Sequence, residues 1–206
     1  MSKKTPDPEI PEKPDSPPAE PKFVPPDNYG IDIRAGSISN GLFCNYNYIH
    51  TVAAETSFKH KVTGGSAIHP DLWEAMRALD RHLPAICEEL EFPEFPEFIK
   101  YIPDIHGEDS QEYKISRFRV TGFQIDGEGE KLGYILIGDK TLKSGDRLKL
   151  ETPKIKEGYG YRFFTDLFLA IEVLQQEVFN YMHGKQAPKA VQTEMEFDET
   201  FSEPDL

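Results

Sequence analysis

Little in this chain advertises covalent chemistry. Its 206 residues include two cysteines, Cys44 and Cys87, and one tryptophan. Two thiols cannot build a disulfide framework, and no Cys-x-x-Cys pair offers a zinc site. Buried thiols in a reducing compartment are the expectation. Long apolar runs are also missing. No stretch approaches the roughly 18 consecutive apolar residues of a membrane span. The opening "MSKKTPDPEIPEK" has two lysines but no apolar core behind them, unlike a secretion signal. A cytoplasmic protein with no membrane partner is therefore expected. Positive charge is scarce as well. Lys and Arg number 23 against 36 Asp and Glu, a formal net charge of −13. That excludes attraction of the whole chain to nucleic acid or to an anionic membrane. It leaves protein binding, or imitation of nucleic acid by an acidic surface.

What is present is uneven along the chain. Residues 1–28 hold nine of the 17 prolines and few bulky apolar groups. Proline without packing partners favours extended, solvated backbone, so this arm is expected to be disordered. Residues 31–34, 42–49 and 56–62 carry strand-forming residues, with "SISNG" as a turn and Gly64–Gly65 as a stop. In "HPDLWEAMRALDRHLPAICEEL", Leu72, Met76, Leu79, Leu83, Ile86 and Leu90 recur in steps of three and four. The spacing predicts a helix that starts near His69 and Pro70 and is kinked or divided at Pro84.

Next comes "EFPEFPEFIKYIPDIHGEDSQ". Its Glu-Phe-Pro unit has period three, one turn of polyproline II. Phe92, Phe95 and Phe98 would line one edge, and Glu91, Glu94 and Glu97 another. The strip either packs on the domain or serves as an exposed ligand. Residues 88–112 carry nine acids and one lysine. A β-meander follows: "YKISRFRVTGFQI", "LGYILIGDKTL" and "RLKLETPKI", joined by the turns "DGEGEK" and "KSGD". Its glycines are not a phosphate loop, because a strand and not a helix follows them. A last helix is expected from about Tyr161 to Met182, stopped by Gly184. The expected fold class is α+β: a mainly antiparallel sheet in two sets of about three strands, with two long helices on one face. One domain over 29–183 would stand between the arm and an acidic disordered tail, 184–206.

The meander "VTGFQIDGEGEKLGYILIGDKTLKSGDRLKLETPKI", the helix end "EVFNYMHGKQAPKAVQ" and "HPDLWEAMRALDRHLPAIC" together resemble an uncharacterised protein family of tailed phages and prophage-like mobile elements. The resemblance spans roughly residues 40–195. It implies a phage or mobile-element origin, with residence in the host bacterial cytoplasm or in the virion, and it implies no activity.

The search for chemistry yields no catalytic set. Cys44 and Cys87 have no histidine at a signature spacing. The nearest approach to a metal loop, Asp104, His106, Glu108 and Asp109, lacks the alternating acids and terminal Glu of a calcium site. No catalytic residue, metal or cofactor is expected, and the chain is not expected to be an enzyme. Two binding motifs remain. In the tail, Gln192, Met195 and Phe197 form Gln-x-x-Met-x-Phe. This resembles the glutamine-led peptides that dock on bacterial sliding clamps, although Thr193 stands where an aliphatic residue is usual. From Gln111 to Arg162, eleven Lys/Arg meet eight Asp/Glu. Arg117, Arg119, Lys140, Arg147 and Lys149 of this stretch are candidates to hold single-stranded nucleic acid on a sheet face. Three functions are therefore open. The first is a non-enzymatic accessory protein that acts by protein contact on replication, recombination or defence machinery. The second is a single-stranded nucleic-acid binding protein with an autoinhibitory acidic tail. The third is a virion structural component.

Overall fold

The computed structural model describes residues 23–24, 27–28, 30–53, 56–96, 107–158 and 160–187. Ten main elements follow in order: β1 (Ile31–Ser39), β2 (Phe43–Ala53), β3 (Thr56–Val62), α1 (Pro70–Arg77), α2 (His82–Ile86), α3 (Gln111–Ser116), β4 (Phe118–Asp126), β5 (Gly133–Thr141), β6 (Arg147–Glu151) and α4 (Phe164–Met182). The fold is α+β. The two runs of three strands join in one antiparallel sheet of order β3-β2-β1-β4-β5-β6.

Local chemistry explains most element ends. Asn40 and Gly41 both have positive φ, and the Leu42 N–H donates back to the Ser39 carbonyl. This is the tight reversal that Asn-Gly favours between twisted strands. It is shorter than the "SISNG" turn expected, so Ser37–Ser39 stay in β1. The helix expected to be kinked or divided at Pro84 is divided, but earlier in the chain. Chain direction changes at residues 78–81, ahead of Pro84, which sits in the first turn of α2, where a missing N–H costs nothing. The start of the expected meander is also different: Gln111–Ser116 forms α3, capped by the Ser110 hydroxyl accepting from the Tyr113 N–H.

Alternation along the strands sends one set of side chains under the helices. Ile33, Ile38, Cys44, Tyr46, Phe118, Val120, Phe123, Ile125, Tyr134 and Leu136 meet Leu72, Met76, Leu79 and Leu83 of the α1–α2 region and Leu167, Ile171, Leu174 and Val178 of α4. Gly36 makes room: a Cβ there would lie 2.7 Å from the Phe123 ring.

β1 and β4 are paired only at Ala35–Gln124, Gly36–Phe123 and Ser37–Gly122. Beyond that point Asp80 replaces the missing strand, its Oδ1 accepting from the Val120 N–H at 2.7 Å. The carboxylate is buried, with the Arg77 Nε 3.3 Å from its other oxygen. Burial pushes its pKa up to about 6 despite these two partners.

The chain after α4 stays on the domain as far as it is described. Lys185 makes ion pairs with Asp71 of α1 and Glu177 of α4. Gln186 bridges Ile68, and the Ala187 N–H donates to the Ala67 carbonyl at 3.0 Å.

Candidate nucleic-acid interface

Strand pairing fixes which side chains share the face away from the helices. Across β3, β2 and β1 the register aligns Lys61 with Asn47 and Ala35, and Lys59 with Ile49 and Asp32. Gln124 of β4 continues the first row. Asn47, Gln124, Lys59 and Lys61 are exposed, and the core residues of α1, α2 and α4 pack on the opposite face. A groove of about 710 Å³ runs here. Its cations are Arg34, Lys59, Lys61 and Lys131, and its anions are Asp126 and Glu128. Asp126 is already neutralised by the Lys154 Nζ at 2.8 Å, which holds its carboxyl below the usual carboxylate range. Arg34 is held by Asp32 at 3.4 Å, by Glu128 at 3.8 Å and by the Gly127 carbonyl. Its guanidinium is therefore fixed in place at the groove floor, whereas Lys59 and Lys61 stand free on an edge strand.

The expected cations divide. Arg119, Asp139 and Lys149 form one cross-strand row, and Thr141 with Arg147 begins the next. Arg117 lies just before β4, with its Nε donating to the Thr141 carbonyl at 2.8 Å. Arg119 lies with its guanidinium carbon 5.7 Å from the centroid of the Trp73 ring. Arg147 and Lys149 are exposed on β6, the other edge of the sheet. Lys140 departs from the group. It pairs in register with Phe118 and Leu148, so it belongs to the helix side, over the Phe118 ring and in an ion pair with Glu89. Arg34, Lys59, Lys61 and Lys131 were not singled out by composition. "FKHKV" does show the signal, since lysines alternate there with Phe58, His60 and Val62, as a two-sided strand demands.

The Glu-Phe-Pro strip resolves by side. Phe92 is buried and Phe95 half-buried, while Glu91 and Glu94 face solvent. Phe95 lies 4.3 Å from the His82 ring and 5.0 Å from Phe163, with the Arg81 guanidinium 4.4 Å above it. These two rings are thus internal contacts and present little to a partner. Phe98 lies outside the described residues, as do Gln192, Met195 and Phe197 and the loop residues Asp104 and His106.

Among the described residues, His82 and both thiols are shifted away from acid–base or nucleophilic work at neutral pH. Burial lowers the His82 pKa to about 3, and its Nδ1 shares a 2.8 Å hydrogen bond with the Tyr161 hydroxyl. Burial pushes the Cys44 thiol up to about 12, and the Cys87 thiol is also raised. Such thiols are poor nucleophiles. Among the described residues no three His, Cys, Asp or Glu side chains gather to hold a metal. No described helix is long and apolar enough to cross a membrane. No family model matches the chain, and no curated protein or solved structure is significantly similar to it.

Proposed function

We propose that this chain is a non-enzymatic binding protein whose uncovered sheet face receives an extended anionic polymer, single-stranded nucleic acid. One observation carries the reading. In a chain of net charge −13, the groove on the open face gathers four cations against two anions. Lysines at i and i+2 on an edge strand lie about 7 Å apart on one side, an arrangement that follows a backbone and reads no base. Phe43 lies at the end of the same face by register, and Tyr48 of β2 is among the residues that line the groove. Binding is therefore expected to be weakly selective and dominated by phosphates. The phage or mobile-element setting implied by the family resemblance would place such an activity beside replication or recombination.

The test is fluorescence anisotropy with a labelled thymidine oligonucleotide between 20 and 200 mM salt. The expected result is binding that weakens steeply with salt and falls at least tenfold in Lys59→Glu/Lys61→Glu. No binding at 20 mM salt, or an unchanged affinity in that variant, overturns the reading.

A further inference from the structure

Among the described residues no strand pairs with the outer edge of β3, and its residues Thr56–Lys61 are exposed. Such an edge invites another strand. The chain itself delivers one to its head. Ala67 bridges Phe43, and the Ile68 N–H donates to the Leu42 carbonyl, so residues 67–68 prolong β3 along β2. Gln186 and Ala187 pair with Ile68 and Ala67 on the side turned away from β2, and they run antiparallel to them. Residues 186–187 therefore run antiparallel to 67–68, in the direction of residues 62–66 and the outer edge of β3.

The sequence that follows has strand alternation. In "VQTEMEF" (191–197), Val191, Thr193, Met195 and Phe197 alternate with Gln192, Glu194 and Glu196. β3 has the complementary two sides: Lys59 and Lys61 on one, and Phe58, His60 and Val62 on the other. Phe58 is 52% exposed, a large ring without cover, and His60 stacks on Tyr48 with centroids 4.6 Å apart.

We propose that the free edge of β3 is a strand-pairing site and that its occupant is this chain's own C-terminal segment, residues 191–197. Charge fixes the register. Glu194 meets Lys61 and Glu196 meets Lys59, while Met195 and Phe197 cover His60 and Phe58. This pairing is one residue out of step with the Ile68–Gln186 bridge, so it needs a single bulged residue between Ala187 and Val191. Pro188 lies in that interval and has no ladder N–H to lose. The segment would close an edge that otherwise stays open. If the uncovered face holds nucleic acid, it would also neutralise Lys59 and Lys61 there, and that consequence alone rests on the proposed function.

Hydrogen exchange and zero-length carbodiimide crosslinking of the full chain test the pairing without any nucleic acid. In the parent, outward-facing amides of residues 56–62 should exchange at least tenfold more slowly than in Met195→Pro, which cannot complete a ladder. Crosslinks should join Lys59 or Lys61 to Glu194 or Glu196 within one molecule. Equal exchange in parent and variant overturns the proposal. So does protection that appears only as protein concentration rises, since the occupant would then be a second copy. Crosslinks confined to Lys131 or to β6 would also overturn it.

Discussion

Asp80 and His82 lie two residues apart, both buried, and their pKa values are displaced in opposite senses. Asp80 holds its proton more tightly in the folded state than in the unfolded chain. Between about pH 4 and pH 6 the native state binds the extra proton, so this residue makes stability fall as pH rises. The full contribution, on the order of 2–3 kcal/mol, is lost above pH 6. His82 behaves oppositely. Its folded pKa of about 3 lies below the ordinary histidine value, so the unfolded chain binds the extra proton across pH 3 to 6.5. Its contribution is present above pH 6.5 and is lost as pH falls. The two slopes oppose each other in one window, and single variants separate them. In Asp80→Asn, which keeps an oxygen for the Val120 N–H, stability relative to the parent should rise between pH 4 and pH 6. In His82→Gln it should fall over the same range. Denaturant unfolding at four pH values checks both, because every other titrating group cancels in the difference.

At the scale of elements, Lys185 shows how α1 and α4 are tied. Its Nζ is 2.8 Å from Glu177 Oε2 and also meets Asp71, and its side chain is only 15% exposed. Removing it leaves Glu177, equally buried, without a counter-charge. Lys185→Met should cost about 1–3 kcal/mol, and Lys185→Met/Glu177→Gln should cost less than the sum of the single changes. A thermal-melt double-mutant cycle reads this directly. None of this tie was visible in the sequence, where Gly184 reads as the end of the packed chain. What was legible is what local pattern encodes. The alternation in β3 to β6, the Asn40–Gly41 reversal and the period of α4 all mark their elements. What was not legible depends on distant partners. Only three residue pairs join β1 to β4, so nothing local announces one six-stranded sheet rather than two smaller ones. Residues 113–116 read as the start of a strand because Tyr113 and Ile115 alternate, yet the Ser110 cap starts a helix at Gln111. For the site, composition located a basic meander but missed that Lys140 faces the helices and that β3 supplies two of the groove's four cations. That division depends on register, which a single residue of slip reverses.

Over the whole molecule, the open sheet is a hazard as well as a binding surface, because among the described residues no strand pairs with the outer side of β3 or of β6. β6 is the clearer case. It is five residues long, its sequence RLKLE alternates, and Leu148 is 49% exposed. A flat edge with this pattern pairs readily with a copy of itself unless charge opposes it. Arg147 and Lys149 supply that charge, and in an antiparallel meeting of two β6 strands their like charges would lie close together. The net charge of −13 gives general repulsion between molecules, but it is screened beyond about 8 Å at physiological ionic strength. Short-range protection therefore rests on these two side chains. Arg147→Thr/Lys149→Thr keeps the alternation, raises strand propensity and makes the chain more acidic. If net charge governed association, this variant would associate less than the parent. If local edge charge governs, it should self-associate more, with a concentration-dependent shift to larger species in sedimentation velocity at 150 mM salt. Restoring one lysine, in Arg147→Thr alone, should return most of the monodispersity of the parent.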